Sequence, residues 1–132
     1  MTARILVIED DAFSRELVRY LLERQGYTVL EAEEGGAGVR LALSAYPDLV
    51  LCDLQMPVLN GYEVVRSLRA NPAWHTVPVI AVTAFSMPGD RDTALAAGFD
   101  DYVTKPIAPE IFVQQISAFL PPALRALGSS GA

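Results

Sequence analysis

Acidic, hydroxyl and ammonium side chains that could bind a metal ion and a phosphoryl group follow four short apolar runs of this sequence. In chain order they are Glu9, Asp10, Asp11, Asp53, Thr83 and Lys105. Carboxylates about 4 Å apart repel one another by about 4 kcal/mol per pair at an effective dielectric constant of about 20, so a cluster of them favours a bound cation. Mg²⁺ suits such a cluster because it takes oxygen ligands from one or two carboxylates and keeps positions for water and phosphate oxygens. The same groups stabilise a phosphoryl group during transfer, and a carboxylate nucleophile would form an acyl phosphate.

Five apolar runs alternate with segments of helical periodicity, which predicts five consecutive β-α units. Strands are predicted at residues 5–8, 27–30, 49–52, 79–82 and 102–103, and helices at residues 35–45, 90–97 and 109–120. One more helix is predicted from the apolar spacing of residues 13–22 and ends before Gly26, and another is predicted around Val64, Val65 and Leu68. The last helix is expected to present to the core Ile111, Phe112, Ile116, Phe119 and Leu120. Alternating strands and helices imply parallel pairing, right-handed crossovers and helices on both faces. The predicted fold class is therefore a three-layer α/β sandwich, a doubly wound (βα)5 parallel sheet.

The position of each polar residue relative to its strand decides which of them can meet. Ligands of an open parallel sheet bind beyond the carboxyl ends of the strands, at the point where the strand order reverses. Glu31 and Glu33 also follow a strand, and the sequence suggests no complementary charge for them. Asp48, Asp100 and Asp101 precede strands, at the opposite edge, and a solvated loop is predicted for the last two.

Composition limits the function further. The 132 residues are 52% hydrophobic and 20% charged, with a net charge of −6, which is typical of one globular domain. Direct nucleic-acid binding is not expected, because it requires clustered positive charge. A single cysteine, Cys52, excludes an internal disulfide framework. The richest apolar stretch, residues 77–85, is too short to cross a bilayer, so we expect a cytoplasmic domain without membrane insertion.

Four motifs at the predicted strand ends carry a family resemblance. They are Val7-Ile8-Glu9-Asp10-Asp11, Asp53-Leu54-Gln55-Met56-Pro57 with Gly61, Val82-Thr83-Ala84, and Tyr102-Val103-Thr104-Lys105-Pro106. In order, spacing and placement they resemble the receiver domains of two-component response regulators. The resemblance covers residues 3–120, predicted as the receiver domain, and implies the flavodoxin-like strand order 2-1-3-4-5. Residues 121–132, which include Gly128-Ser129-Ser130-Gly131, are expected to form a flexible tail.

The resemblance implies a phosphoacceptor and a Mg²⁺ site. Asp53 is similar to the family's phosphoacceptor. The implied Mg²⁺ ligands, direct or through water, are Glu9, Asp10, Asp53 and the backbone carbonyl group of Gln55. Aligning Arg15 with the basic residue common early in the family's first helix leaves Asp11 outside this set.

The resemblance also implies a switch. The hydroxyl group of Thr83 would move toward the phosphoryl group, and Lys105 would contact a phosphoryl oxygen. Tyr102 would turn inward when Thr83 moves. The Lys105–Pro106 peptide bond is implied to be cis.

The implied function is a phosphorylation-activated switch in a two-component or phosphorelay system, a regulatory domain that assists only its own phosphorylation and dephosphorylation. A sensor histidine kinase or a histidine phosphotransfer protein would supply the phosphoryl group, with specificity around Phe13, Ser14 and Glu16. Phosphorylation would repack the surface of the fourth helix, fifth strand and fifth helix, and so control a downstream effector protein.

Within the family, residues 81–87 and 53–55 are similar to single-domain regulators of the DivK type and to the receivers of hybrid kinases. Gln55 and Phe85 correspond to variable positions at the lip of the pocket. Phe85 offers no base to orient a hydrolytic water, which favours a long-lived phosphorylated form.

Two other functions use related chemistry. A phosphatase or mutase similar to the haloacid dehalogenases would need an Asp two residues after the nucleophile, where this sequence has Gln55, which cannot transfer protons. A flavin-binding module would need a Ser-, Thr- or Gly-rich phosphate loop after the first strand. The acids at residues 9–11 would instead repel a phosphate group in the absence of a metal ion.

Overall fold

Five strands alternate with five helices along the chain in the computed structural model, which describes residues 2–84 and 87–125. The strands are β1 (Arg4–Ile8), β2 (Thr28–Ala32), β3 (Leu49–Asp53), β4 (Val79–Thr83) and β5 (Asp101–Thr104). The helices are α1 (Ala12–Arg24), α2 (Gly35–Ala45), α3 (Gly61–Arg69), α4 (Asp90–Ala97) and α5 (Pro109–Ser117). Short 3₁₀ helices lie at Pro72–Trp74 and Pro122–Leu124.

The strands form one parallel sheet in the order β2-β1-β3-β4-β5, which confirms the predicted fold class. Ile8, the last residue of β1, pairs with Ala32 on one side and Cys52 on the other. Asp53 pairs with Val82, one residue before the end of β4. This register brings the carboxyl ends of β1, β3 and β4 to one edge, where the strand order reverses between β1 and β3.

Two apolar cores cover the two faces of the sheet. Side chains of alternate strand residues point to opposite faces, so neighbours in sequence join different cores. In β1, Leu6 and Ile8 pack with residues of α2, α3 and α4, whereas Ile5 and Val7 pack with residues of α1 and α5. Both faces of the central strands are therefore buried, as the continuous apolar runs predict.

Several element boundaries differ from the prediction by one to three residues, and β2 and α5 are two examples. β2 begins one residue later than predicted and continues to Ala32. α5 ends at Ser117, and Ile111, predicted to face the core, has a side chain that is 60% exposed. Val113 is buried instead, because the face of α5 that meets the sheet includes Phe112 and Ile116 and turns Ile111 outward.

The acids that precede β5 are held by specific contacts. Asp101 is the first residue of β5, is buried, and lies 2.7 Å from the guanidinium group of Arg91 on α4. Asp100 accepts hydrogen bonds from the Val79 amide at 2.9 Å and from Arg69 at 2.8 Å. The prediction of a solvated loop is therefore wrong for Asp101. Both acids do lie at the edge opposite the predicted site.

The C-terminal part of the described chain packs back on α5. The Arg125 guanidinium group donates hydrogen bonds to the carbonyl groups of Ser117 and Leu120, each at 3.1 Å. The remainder of the expected tail, residues 126–132, lies outside the described residues. Within residues 2–84 and 87–125, no helix combines the length and apolar composition that a bilayer span requires.

Val58 offers a test of backbone strain in the loop between β3 and α3. Its φ angle is 70° and its side chain is 99% exposed, so a β-branched residue occupies the left-handed region without compensating burial. We expect Val58→Asn to raise the free energy of unfolding by about 1 kcal/mol, measured by urea denaturation, since Asn tolerates this conformation better. Val58→Ala is the control and should gain less than half as much. Equal stability of the Asn and Ala variants would contradict the explanation.

Candidate functional site

Three carboxylates meet at the carboxyl edge of the sheet. Glu9 follows β1, and its amide donates a hydrogen bond to the Ala32 carbonyl group at 3.0 Å, which continues the β1–β2 pairing by one residue. Asp53 is the last residue of β3. Carboxylate oxygens of Glu9, Asp10 and Asp53 lie within 4.8 Å of one another, with Glu9 and Asp53 buried and Asp10 exposed. The three acids predicted as metal ligands are therefore together in space.

Lys105 supplies positive charge to this cluster. Its Nζ atom is 2.7 Å from Glu9 Oε1 and 3.7 Å from Asp53 Oδ2. The Lys105 amide donates a hydrogen bond to the Thr83 carbonyl group at 2.7 Å, which attaches the residue to the end of β4. The Lys105–Pro106 peptide bond is cis. One ammonium group faces three carboxylates, so the cluster keeps an excess of negative charge when all three are ionised.

The proton affinities of Glu9 and Lys105 reflect this crowding. Burial raises the pKa of the Glu9 carboxyl group, and the hydrogen bond and charge of Asp53 raise it further, against smaller lowering effects of Lys105 and the Asp11 amide. Burial alone lowers the pKa of Lys105. The hydrogen bond to Glu9 and the charges of Glu9, Asp53 and Asp11 outweigh that effect and raise it. Lys105 therefore stays charged, while Glu9 is harder to ionise than an ordinary glutamate.

The donor set suits a hard divalent cation. All three side chains offer oxygen atoms, the ligands that Mg²⁺ prefers, and the exposed Asp10 keeps the cluster open to solvent. The Gln55 amide donates a hydrogen bond to Asp53 Oδ1 at 3.1 Å, which orients that carboxylate. Asp11 instead accepts a hydrogen bond from the Ser14 amide at 2.9 Å and caps α1.

Thr83 and Tyr102 line one groove beside the cluster. Thr83 is the last residue of β4, and its residue surface is only 1% exposed. Tyr102 in β5 is buried in the core on the α3 and α4 side. The groove has a volume of about 690 Å³ and also includes Gln55 and Asp90 in its lining. The two predicted switch residues thus border the same space, next to the loop that follows Asp53.

The match to a protein-family model identifies the family to which this chain belongs. The family model described as the response regulator receiver domain matches residues 5–117. This chain belongs to the response regulator receiver family. It is a receiver domain of two-component signalling, a switch activated by phosphorylation.

Relatives in sequence and structure agree with this family. The polar-differentiation response regulator DivK of Brucella ovis is 36% identical over 120 residues, which are 91% of this chain and 98% of that protein. The structure of Vibrio cholerae chemotaxis protein CheY4 matches with a TM-score of 0.85 and 27% identity, over 91% of this chain and 100% of that one. The receiver domain of a Pseudomonas aeruginosa sensor histidine kinase, solved with a magnesium ion coordinated in its active-site cleft, matches with a TM-score of 0.83 and 33% identity, over 90% and 98% of the two chains.

A second groove of the receiver domain opens on the cluster from the α1 side. It has a volume of about 390 Å³, and its lining includes Glu9, Lys105, Phe13 and Ser14. Phe13 is 76% exposed, so an apolar ring stands beside the site in the segment predicted to carry kinase specificity. Phe85, on which the expectation of a long-lived phosphorylated form rests, lies outside the described residues.

Sequence reasoning missed the partners of the acids that follow β2. The prediction that Glu31 and Glu33 lack complementary charge is wrong. Arg15 lies 3.3 Å from Glu31 and 3.2 Å from Glu33, and Arg19 lies 2.9 Å from Glu31. The signal available in the sequence was the four-residue spacing of Arg15 and Arg19, which places both on one face of α1.

The ion pair between Lys105 and Glu9 can be tested in the metal-free receiver domain. We expect Lys105→Gln to lower the free energy of unfolding by about 2 kcal/mol, because the buried Glu9 loses its charged partner. The cost should be less than half as large in a Glu9→Gln background. Urea denaturation in the presence of EDTA measures both values.

Arg40→Gln serves as the control for this pair, since it removes the same charge from an exposed pair with Glu34 at 3.7 Å. That change should cost less than about 0.5 kcal/mol. If Lys105→Gln costs the same with and without Glu9, the two side chains are not coupled as described.

Proposed function

We propose that Asp53 accepts a phosphoryl group from a phosphohistidine, with Mg²⁺ held by Glu9, Asp10 and Asp53. The observation that carries this proposal is the buried Asp53 carboxylate, in one oxygen cluster with Glu9 and Asp10 and 3.7 Å from the Lys105 ammonium group. Burial of an acid together with two other acids and one cation does little for stability, and such clusters are typical of functional sites, here one for phosphoryl transfer.

The proposed step is a displacement at phosphorus. An Asp53 carboxylate oxygen forms a bond to phosphorus as the bond between phosphorus and the histidine nitrogen breaks, and the nitrogen keeps the electron pair. The hydrogen bond from the Gln55 amide holds the Asp53 carboxylate in one orientation during attack. Lys105 neutralises part of the charge on the phosphoryl oxygens. Mg²⁺, when bound, supplies further positive charge to those oxygens.

The ligand set is proposed with different roles for its members. Both Glu9 oxygens already have partners, since Oε1 lies 2.7 Å from Lys105 and Oε2 accepts from the Asp11 amide at 3.2 Å. Glu9 therefore suits contact through water better than direct binding. Asp10 and Asp53 are the proposed direct carboxylate ligands, and the backbone carbonyl group of Gln55 completes the proposed protein ligands.

The proposed switch connects the phosphoryl group to the surface of α4, β5 and α5. The Thr83 hydroxyl group and Lys105 would both move toward the phosphoryl group on Asp53. Tyr102 would then turn inward, into the space that Thr83 leaves. Support comes from the groove that Thr83 and Tyr102 both line, and from the Arg91–Asp101 pair that joins α4 to β5. A few kcal/mol of differential stability is enough to shift such an equilibrium decisively.

The proposed partners lie on two sides of the molecule. A sensor histidine kinase or a histidine phosphotransfer protein would approach along the groove beside Phe13, which reaches Lys105. A downstream effector protein would bind the face of α4, β5 and α5, where Ile111 is exposed. The cytoplasmic location inferred from composition stays a prediction.

Phosphorylation at Asp53 is tested with acetyl phosphate and Mg²⁺. We expect intact-protein mass spectrometry to detect the addition of one phosphoryl group to the wild type and at least about 100-fold less in Asp53→Asn, because the nucleophile is removed. Asp92→Asn, an exposed acid on α4, is the control and should be phosphorylated normally. A phosphorylated Asp53→Asn protein would place the acceptor elsewhere. Turnover of a free phosphate ester would instead support a phosphatase.

The switch is tested by hydrogen exchange. In the wild type we expect phosphorylation to change amide exchange in α4 and β5 by several-fold. Thr83→Ala should still be phosphorylated, but most of this change should be lost because the hydroxyl group that links the phosphoryl site to the groove is absent. Thr76→Ala, in an exposed loop, should behave as the wild type. An unchanged response in Thr83→Ala would remove Thr83 from the switch.

A further inference from the structure

A buried guanidinium group lies directly behind the acid cluster. The Arg15 side chain is only 11% exposed, although it lies on the first helix of a small domain. Its Nη1 atom donates a hydrogen bond to the Glu9 backbone carbonyl group at 2.9 Å. Its other nitrogens face the acids that follow β2, with Nε 3.3 Å from Glu31 and Nη2 3.2 Å from Glu33. One rigid, planar group therefore ties the β1–α1 loop to the β2–α2 loop.

The contact with Glu9 is made to the backbone, which leaves the Glu9 carboxylate available to the cluster. The peptide groups on both sides of Glu9 are thus held, since the Glu9 amide donates to the Ala32 carbonyl group and the Glu9 carbonyl group, which belongs to the Glu9–Asp10 peptide group, accepts from Arg15. The residue that follows this fixed peptide group is Asp10, the exposed member of the cluster. Holding the peptide unit between Glu9 and Asp10 sets the direction in which both side chains leave the chain.

We propose that Arg15 is a positioning residue of the metal site, which raises Mg²⁺ affinity by holding the Glu9–Asp10 peptide so that both carboxylates converge on Asp53. The inference rests on the proposed function, which assigns Mg²⁺ to these three acids. In this proposal Arg15 would contact neither the metal nor the phosphoryl group. It acts through the backbone of the residues that do, as outer-shell partners of metal ligands commonly act.

The sign of the effect separates positioning from simple electrostatics. Arg15 is a cation close to the proposed cation site, so by Coulomb's law alone its removal would tighten Mg²⁺ binding. Its removal would also leave Glu31 and Glu33 with less compensating charge, which again favours cation binding nearby. Positioning has the opposite consequence, because loosened acids bind the ion less tightly. A purely structural role would lower stability without changing the affinity of the folded protein.

Arg19 provides a matched control on the same helix. It lies one turn after Arg15 and shares the partner Glu31 at 2.9 Å, but its own contacts are with Glu31 and Glu23. Substitution of either arginine removes the same charge and one contact with Glu31. Only the substitution of Arg15 removes the hydrogen bond to the Glu9 carbonyl group.

The experiment is a titration with MgCl₂ by isothermal titration calorimetry on folded, unphosphorylated protein. We expect the dissociation constant of Arg15→Gln to rise about 10-fold over the wild type. Arg19→Gln should bind Mg²⁺ as tightly as the wild type or slightly more tightly. We also expect acetyl phosphate to phosphorylate Arg15→Gln more slowly than the wild type at low Mg²⁺ and at the same rate as the wild type at saturating Mg²⁺.

A charge-conserving pair of variants covers the case in which Arg15→Gln does not fold. Arg15→Lys keeps the charge but cannot reach all three partners with one ammonium group, so we expect a dissociation constant several-fold above that of Arg19→Lys. Equal or tighter Mg²⁺ binding by the folded Arg15 variants, relative to their Arg19 counterparts, would overturn the inference. If the wild type itself does not bind Mg²⁺, the proposed function fails first, and that outcome is distinct from a failure of Arg15 alone.

Discussion

The mutual repulsion of carboxylates at one edge of the sheet is the constraint on which this structure depends. Glu9 and Asp53 are buried next to Asp10, and the ammonium group close to them belongs to Lys105, the only lysine in the sequence. At separations of about 4 Å each pair of ionised acids costs about 4 kcal/mol at an effective dielectric constant of about 20. That is a large part of the 5–15 kcal/mol by which domains are typically stable, so the rest of the fold has to hold the acids in place.

The sheet withstands this repulsion because its strands are held on both faces and both sides. β1 and β3 lie between other strands, and two apolar cores cover them, so the strand ends cannot separate to relieve the charge. The charge is compensated locally instead. Lys105 is attached to the end of β4 through the Thr83 carbonyl group, and the cation and the proposed switch hydroxyl are therefore mechanically connected. In the proposed switch, charge added at Asp53 would act on both residues.

The parts of the fold that could be predicted are those that local pattern determines. The bounds of α2 and α4 agree with the predicted residues 35–45 and 90–97, because glycine and proline mark their ends. The polar residues after β1, β3, β4 and β5 were predicted at one edge because parallel strands share a direction. The strand order 2-1-3-4-5 came from the family resemblance, since alternation of strands and helices alone allows other orders.

The errors arose where a distant neighbour decides the outcome. The helical period of α5 allows several apolar faces, and the position of the sheet selects the one that exposes Ile111. Asp101 is predicted in a solvated loop because it precedes the apolar residues of the fifth strand, and its partner Arg91 meets it only when α4 packs beside β5. The sequence does not predict a partner for Glu31 or Glu33, because Arg15 reaches them only when β2 lies next to β1.

The same long-range contacts explain why a glutamate suits position 9. Its longer side chain lets one carboxylate reach Lys105 through Oε1 and the Asp11 amide through Oε2, while the backbone carbonyl group stays with Arg15. Both carboxylate oxygens and the backbone carbonyl group of Glu9 are thus occupied by contacts within the protein. Asp10, at the other end of the same peptide unit, is exposed to solvent. In the proposed metal site, the buried Glu9 would therefore fix the geometry of the cluster, and the exposed Asp10 would bind the cation directly.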